Sequence, residues 1–283
     1  MTKHEFHTPP SLIKWTGSKR LLAQKIQKYI PDNYHRYFEP FLGGGSILFN
    51  NCYNTAFAND IYSPLIEIWN EVKNNPDYVV ERYKLDWMML QENFPNHFYI
   101  VRDRFNKTFD GMDLLFLSRT AVNGIIRFNN KGEFNNSLHL SRRGMTPEKF
   151  EKIVFQWHER LKNTHFFNLD FQEFLEETSK NDFVYLDPPY ANSSNRYIKN
   201  LNVDELFNVL DRLNSKDVKW ALSFDGSRGN NDMRYSFPKE LYKTSISNFR
   251  ASSIYRNGSS KVSQVLNSEK VDVLETLYVN YKI

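Results

Sequence analysis

An α/β architecture, built on a mostly parallel sheet and interrupted by a helical insertion, follows from three observations in the sequence. Short apolar runs that end in acids or glycines recur near both ends of the chain. Helical spacing dominates the stretch between them. That stretch also carries the chain's excess positive charge. Strands alternating with helices give a parallel sheet, and the middle block is then an insertion between its second and third strands.

The elements read in order. A helix spans Leu21 to Tyr29. Tyr37-Phe38-Glu39 ends a first strand, Gly43-Gly44-Gly45 makes a turn, and Ser46 to Phe49 begins a helix. Thr55 to Ala58 is a second strand, closing at Asn59-Asp60. Leu65, Ile66, Ile68, Trp69 and Val72 recur near a 3.6-residue period, as do Phe150, Ile153, Val154, Trp157 and Leu161. Thr146-Pro147 starts the later helix, with Thr as N-cap and Pro in the first position. Between these helices, Asn123 to His139 is a polar loop or hairpin. Strands return at His165 to Leu169, Phe183 to Leu186 and Lys219 to Phe224. Val203 to Leu213 is helical. Tyr242 to Tyr255 and Val271 to Tyr281 form an antiparallel pair, with a turn signal at Asn257-Gly258.

Composition bounds the function. The 283 residues are 40% hydrophobic and 25% charged, enough for a sizeable core. No run approaches the ~18 apolar residues of a membrane span. The polar N-terminus lacks the apolar core of a signal peptide, and Cys52 stands alone, so a cytoplasmic location is expected. Cys52 reads as structural. The seven histidines show no ligand spacing, so no metal is expected. Between Leu114 and Pro147 lie Arg119, Arg127, Lys131, Arg142 and Arg143 against one acid, Glu133. That surplus equals the whole chain's net charge of +4 and suits a polyanion.

The chemistry concentrates at strand ends. Asp187-Pro188-Pro189-Tyr190 cannot continue a strand, because proline lacks an N–H and fixes φ. It is either a stiff turn with a surface tyrosine or a site for a planar, amine-bearing substrate. A glycine turn between strand and helix lets a ligand approach the backbone. It departs from GxGxxG. Asp60 and Asp170 end neighbouring strands, where they accept hydrogen bonds from hydroxyls or cap the helix that follows. Lys14 to Lys19 is either a basic turn or a flap in which Trp15 covers a flat ligand and Lys19 meets a carboxylate.

Together, Trp15-Thr16-Gly17-Ser18-Lys19, Phe38-Glu39-Pro40-Phe41-Leu42-Gly43-Gly44-Gly45 and Asp187-Pro188-Pro189-Tyr190 resemble the Dam-type family (D12 class, alpha group) of S-adenosylmethionine-dependent DNA adenine-N6 methyltransferases. The resemblance implies a Rossmann-like methyltransferase fold with a mixed seven-stranded sheet. It implies a catalytic, S-adenosylmethionine-binding part at 1–60 and 163–283, and a DNA-recognition part with a β-hairpin at 61–162. It implies cofactor contacts at Trp15, Lys19, Phe38, Glu39, Pro40, Gly43, Asp60, Asp170, Phe171 and Asp187, and catalysis by Asp187, Pro188, Pro189 and Tyr190. The partner implied is double-stranded DNA, met by a monomer working alone or beside a restriction enzyme.

Arg119 to Asn129 and Gly132 to Asn135 resemble the family's recognition hairpin. Arg127 is expected to read guanine, Asn123 and Asn129 bases or an orphaned strand, and Ile125 to wedge into the stack. Arg119, Asn135, Arg142 and Arg143 complete the expected DNA surface. The segment departs from the family at Val122, where an aromatic is usual. It departs again after Asn135, where a proline-aromatic-glycine run is missing, and the target sequence stays open. Cytosine-N4 methylation and a non-catalytic DNA binder are the alternatives.

Overall fold

The computed structural model describes residues 7–189, 201–228, 231–232, 237–254 and 270–283. Tyr190 and the Asn257-Gly258 turn signal lie outside them. The strands are β1 (Tyr37–Glu39), β2 (Ala56–Asn59), β3 (Thr164–Phe167), β4 (Phe183–Leu186), β5 (Lys219–Arg228), β6 (Asn231–Asp232), β7 (Thr244–Ile254) and β8 (Lys270–Val279). Seven run in the order β3-β2-β1-β4-β5-β8-β7, and β6 pairs off this path with β5. The first five are parallel, while β8 is antiparallel to both β5 and β7.

Every residue of β1 and β4 is buried, as central parallel strands with two covered faces require. The first helix is shorter than expected, α1 (Ala23–Gln27), and is followed by α2 (Leu48–Asn51). The insertion holds α3 (Ser63–Asn74), α4 (Pro76–Glu92), α5 (Asn96–Thr108), α6 (Gly111–Thr120) and α7 (Pro147–Arg160). Thr146 occupies the N-cap position of α7 with extended backbone, but its side chain makes no capping hydrogen bond. The remaining helices are α8 (Phe171–Phe174) and α9 (Val203–Ser215), the latter capped by Asn202.

Two apolar cores flank the sheet. One joins α1, α2 and the insertion helices to Tyr37, Ala56, Phe183 and Leu277. Trp69 of α3 stacks on Phe166 of β3 and meets Trp157 of α7 edge-on, so the insertion shares its core with the sheet. The other core packs α8 and α9 against Phe38, Val184, Trp220 and Tyr278. The strand order reverses between β1 and β4. That reversal opens a crevice at their carboxyl ends, where open α/β sheets bind ligands. The result is a Rossmann-like methyltransferase fold with a mixed seven-stranded sheet and a helical insertion.

Candidate functional site

The chain leaves β1 at Glu39 and turns through Gly43, which has φ +48°. A Cβ there would lie 2.8 Å from the Trp15 ring, so only glycine lets the ring close on the loop. The Gly43 N–H donates to Asp60 Oδ2 at 3.0 Å, and Trp69 Nε1 donates to the Gly43 carbonyl. Asp60, just past β2, also accepts from the Tyr62 N–H. Burial pushes the Asp60 carboxyl up to about 6, against the pull of these N–H groups. The expected ligand acceptor thus also holds the glycine loop in place. Asp170, just past β3, caps α8 through the Gln172 N–H.

Asp187 ends β4 beside a buried lysine. Lys19 Nζ lies 2.7 Å from Asp187 Oδ1 and 3.6 Å from Glu275 Oε1, with the lysine side chain only 3% exposed. Burial raises the Asp187 carboxyl to about 6, Lys19 opposes that, and Glu275 adds to it. Glu39 is buried, accepts from the Tyr37 hydroxyl at 2.6 Å, and has its pKa raised by burial. Tyr185 sits beneath the motif with its hydroxyl 2.8 Å from that of Ser223.

These groups border one cleft of about 1280 Å³, open mouth included. Its lining holds Trp15, Lys19, Glu39, Pro40, Gly43, Asp60, Asp170, Phe171, Asp187, Pro188 and Pro189, all named from sequence. Phe38 lies in the core beneath it, against Phe57. Ile61, Tyr185, Ile126 and Phe128 also stand in the wall, and no local pattern marked them for it. The last two belong to the recognition segment.

That segment is pinned by two antiparallel bridges, Ala121 to Leu138 and Phe128 to Phe134. Asn129 builds the tip: its Oδ1 accepts from the Lys131 and Glu133 N–H groups, and its Nδ2 donates to Glu133. It is therefore a turn-former here. Exposed Arg127 is braced by Asn135, its Nε donating to the side-chain oxygen at 2.9 Å. Asn123 has a left-handed backbone, φ 57°, and Ile125 is 39% exposed. Arg142 is exposed, and the Arg143 guanidinium lies over the Phe94 ring.

Arg119 departs from expectation. Its Nη1 donates to the Ser11 carbonyl at 2.7 Å and to that of Leu12. Burial lowers its pKa. The guanidinium points inward and ties the N-terminal strap to the end of α6. A DNA-facing reading of Arg119 is thereby corrected: Nη1 donates to two strap carbonyls and Nη2 to the sulfur of Met145, while Nε is buried without a partner.

Among the described residues, no helix is long and apolar enough to cross a membrane, and no group of three or more His, Cys, Asp or Glu could hold a metal. Residues 15–261 match the family model for D12 class N6 adenine-specific DNA methyltransferases. The chain is 31% identical to a DNA adenine methylase of Haemophilus influenzae, over 65% of this chain and 64% of that protein. It is 28% identical to the type II methyltransferase M1.LlaDCHI of Lactococcus lactis subsp. cremoris, over 80% and 81%. It is 30% identical to the type II methyltransferase M.FokI of Planomicrobium okeanokoites, over 96% of this chain and 43% of that protein. The chain belongs to the family of D12 class N6 adenine-specific DNA methyltransferases.

Proposed function

We propose that the protein transfers a methyl group from S-adenosylmethionine to N6 of an adenine flipped out of duplex DNA, as an alpha-group member of its family. The observation that carries this reading is the Asp187 carboxylate, paired with buried Lys19, on the wall of the cleft at the strand-order reversal. Residues 1–60 and 163–283 would do the chemistry, and residues 61–162 would hold the DNA.

The cleft suits this cofactor by its chemistry. Asp60 and Asp170 offer carboxylates to hydroxyls and an amine, Phe171, Ile61 and Leu169 offer apolar walls to a purine, and Gly43 keeps the loop beside Trp15 free of a Cβ. S-adenosylmethionine, when bound, supplies a methyl group activated on a sulfonium.

The chain's own residues then prepare the amine. Adenine N6 is a poor nucleophile, because its lone pair is delocalised into the ring. Asp187 accepts one N6 hydrogen and the Pro188 carbonyl the other. Both favour a pyramidal nitrogen whose growing positive charge they stabilise. Consecutive prolines hold that carbonyl with little reorganisation. Positioning supplies much of the rate. Tyr190 stacks on the base. A carboxyl at about 6 also gives the departing N6 proton a place on Asp187. Ile125, exposed on the recognition segment, enters the base stack, and Arg127, Arg142 and Arg143 meet the DNA.

Unmethylated duplex DNA incubated with methyl-labelled cofactor tests the reading, beside Asp187→Ala. Label on N6-methyladenine is expected, with about a 10³-fold loss in the variant. Label on N4-methylcytosine would move the reading to the other exocyclic amine. Equal activity in the variant would sink it. Mapping methylated positions in DNA from an expressing host gives the target sequence.

A further inference from the structure

Lys19 is gripped from two sides, and the second grip comes from a part of the chain in which no motif was found. Glu275 lies on β8. Its strand neighbours in alternation, Leu277 and Val279, belong to the core shared with the insertion. A carboxylate thus occupies a row that is otherwise apolar, with its side chain 11% exposed. Burying a charge there is costly unless it is paired.

Both adjacent strands are irregular at this one step. β5 pairs Phe224 with Thr276 and then Gly226 with Glu275, passing over one residue. β7 pairs Ser247 with Thr276 and then Phe249 with Glu275, again passing over one. A bulge bends its strand and re-aims side chains, and bulges collect next to active sites. Two bulges flanking one carboxylate, which lies 3.6 Å from the ammonium that holds Asp187, form a device with one address.

We propose that Glu275 is a positioning residue for the methyl transfer, acting through Lys19 on Asp187. This rests on the function proposed above. Glu275 is not among the residues that line the cleft, and its described link to the site is Lys19. It holds the Lys19 ammonium at the base of the cleft and takes a share of its charge. Asp187 is then oriented by Lys19 without being fully neutralised as a hydrogen-bond acceptor. Among the described residues, the charged and titratable groups that act on Asp187 or on its neighbours are Lys19 from the N-terminal loop, Glu39 from β1, Tyr185 from β4 and Glu275 from β8. Glu275 raises the Asp187 pKa, so removing its charge lets that pKa fall. Asp187 works as an anion, and the acid limb of kcat must then move to lower pH.

Full-length Glu275→Gln and Glu275→Asp are to be compared with wild type on duplex DNA from pH 5 to 9. For Glu275→Gln we expect kcat near pH 8 to fall about tenfold, with KM for DNA and cofactor within about threefold. The acid limb is expected to move down by about half a pH unit. Glu275→Asp should recover part of kcat and return the limb toward wild type. An acid limb left in place overturns the inference, whatever happens to kcat, because a purely structural defect would not move it. If Glu275→Gln does not fold, the limb of Glu275→Met, likewise without the charge, decides by the same criterion. A wild type that methylates no DNA takes down the proposed function and this inference together. An active wild type with an unmoved limb takes down this one alone.

Discussion

Asp187 is proposed to accept a hydrogen from N6, and its ionised form is the stronger acceptor and the one able to take the N6 proton. Its folded pKa is raised to about 6, chiefly by burial. The sign follows directly: activity is lost as pH falls through about 6 and is full above it. A kcat profile with its acid limb near the ordinary aspartate value would contradict this. Arg119 supports a second prediction. Arg119→Met frees the strap carbonyls of Ser11 and Leu12, which precede Trp15 and Lys19. We expect cofactor affinity, measured by calorimetry, to fall about tenfold while the salt dependence of DNA binding is unchanged. A phosphate-contacting arginine would instead lower the salt slope by about one. Asp187 and Asp60 were legible because each ends a strand whose pattern is local. Glu275 and the inward turn of Arg119 were not, since their partners come from distant parts of the chain.

Gly43 and its loop show what one element's backbone does for the site. Gly43→Ala adds a Cβ 2.8 Å from Trp15 at φ +48° and must push the ring away. Cofactor binding is expected to weaken at least tenfold, with a thermal midpoint lowered by several degrees, read by calorimetry and melting. In the recognition segment, Asn129 anchors the tip through backbone bonds. Strand β4 falls where its pattern puts it, because a buried parallel strand is an unbroken apolar run, and β1 is the same up to Glu39 at its end. Helices α4 and α5 were harder to see. Much of what α4 presents is solvated or exposed apolar surface, including Leu85, Met88 and Met89, which blurs the period.

The molecule as a whole is braced by a charge network inside the insertion. Asp113 is fully buried and accepts from Arg82 and Arg104, while Asp86 meets Arg82, Arg104 and His97. It links α4, α5 and α6. Asp113→Ala leaves Asp86 as the arginines' carboxylate partner and should cost about 1.5–3 kcal/mol in urea unfolding, the loss of charged hydrogen bonds. A loss under 1 kcal/mol would show the network to be dispensable. With Arg119 turned inward, Arg127, Lys131, Arg142 and Arg143 remain to meet phosphates or bases from the basic stretch. Four such contacts give a log–log salt slope of about −3.6. Composition identified this basic block correctly, but not which of its charges face out.

Ile126 and Phe128 stand in the cofactor cleft although they belong to the recognition segment. Where DNA binding moves these two side chains, it is thermodynamically linked to cofactor binding. Whatever factor DNA contributes to cofactor affinity, the cofactor returns to DNA affinity. The linkage also constrains divergence. A recognition segment exchanged between relatives to change the target carries part of the cofactor wall with it, so a graft that alters sequence preference alters cofactor affinity too unless these two side chains stay behind.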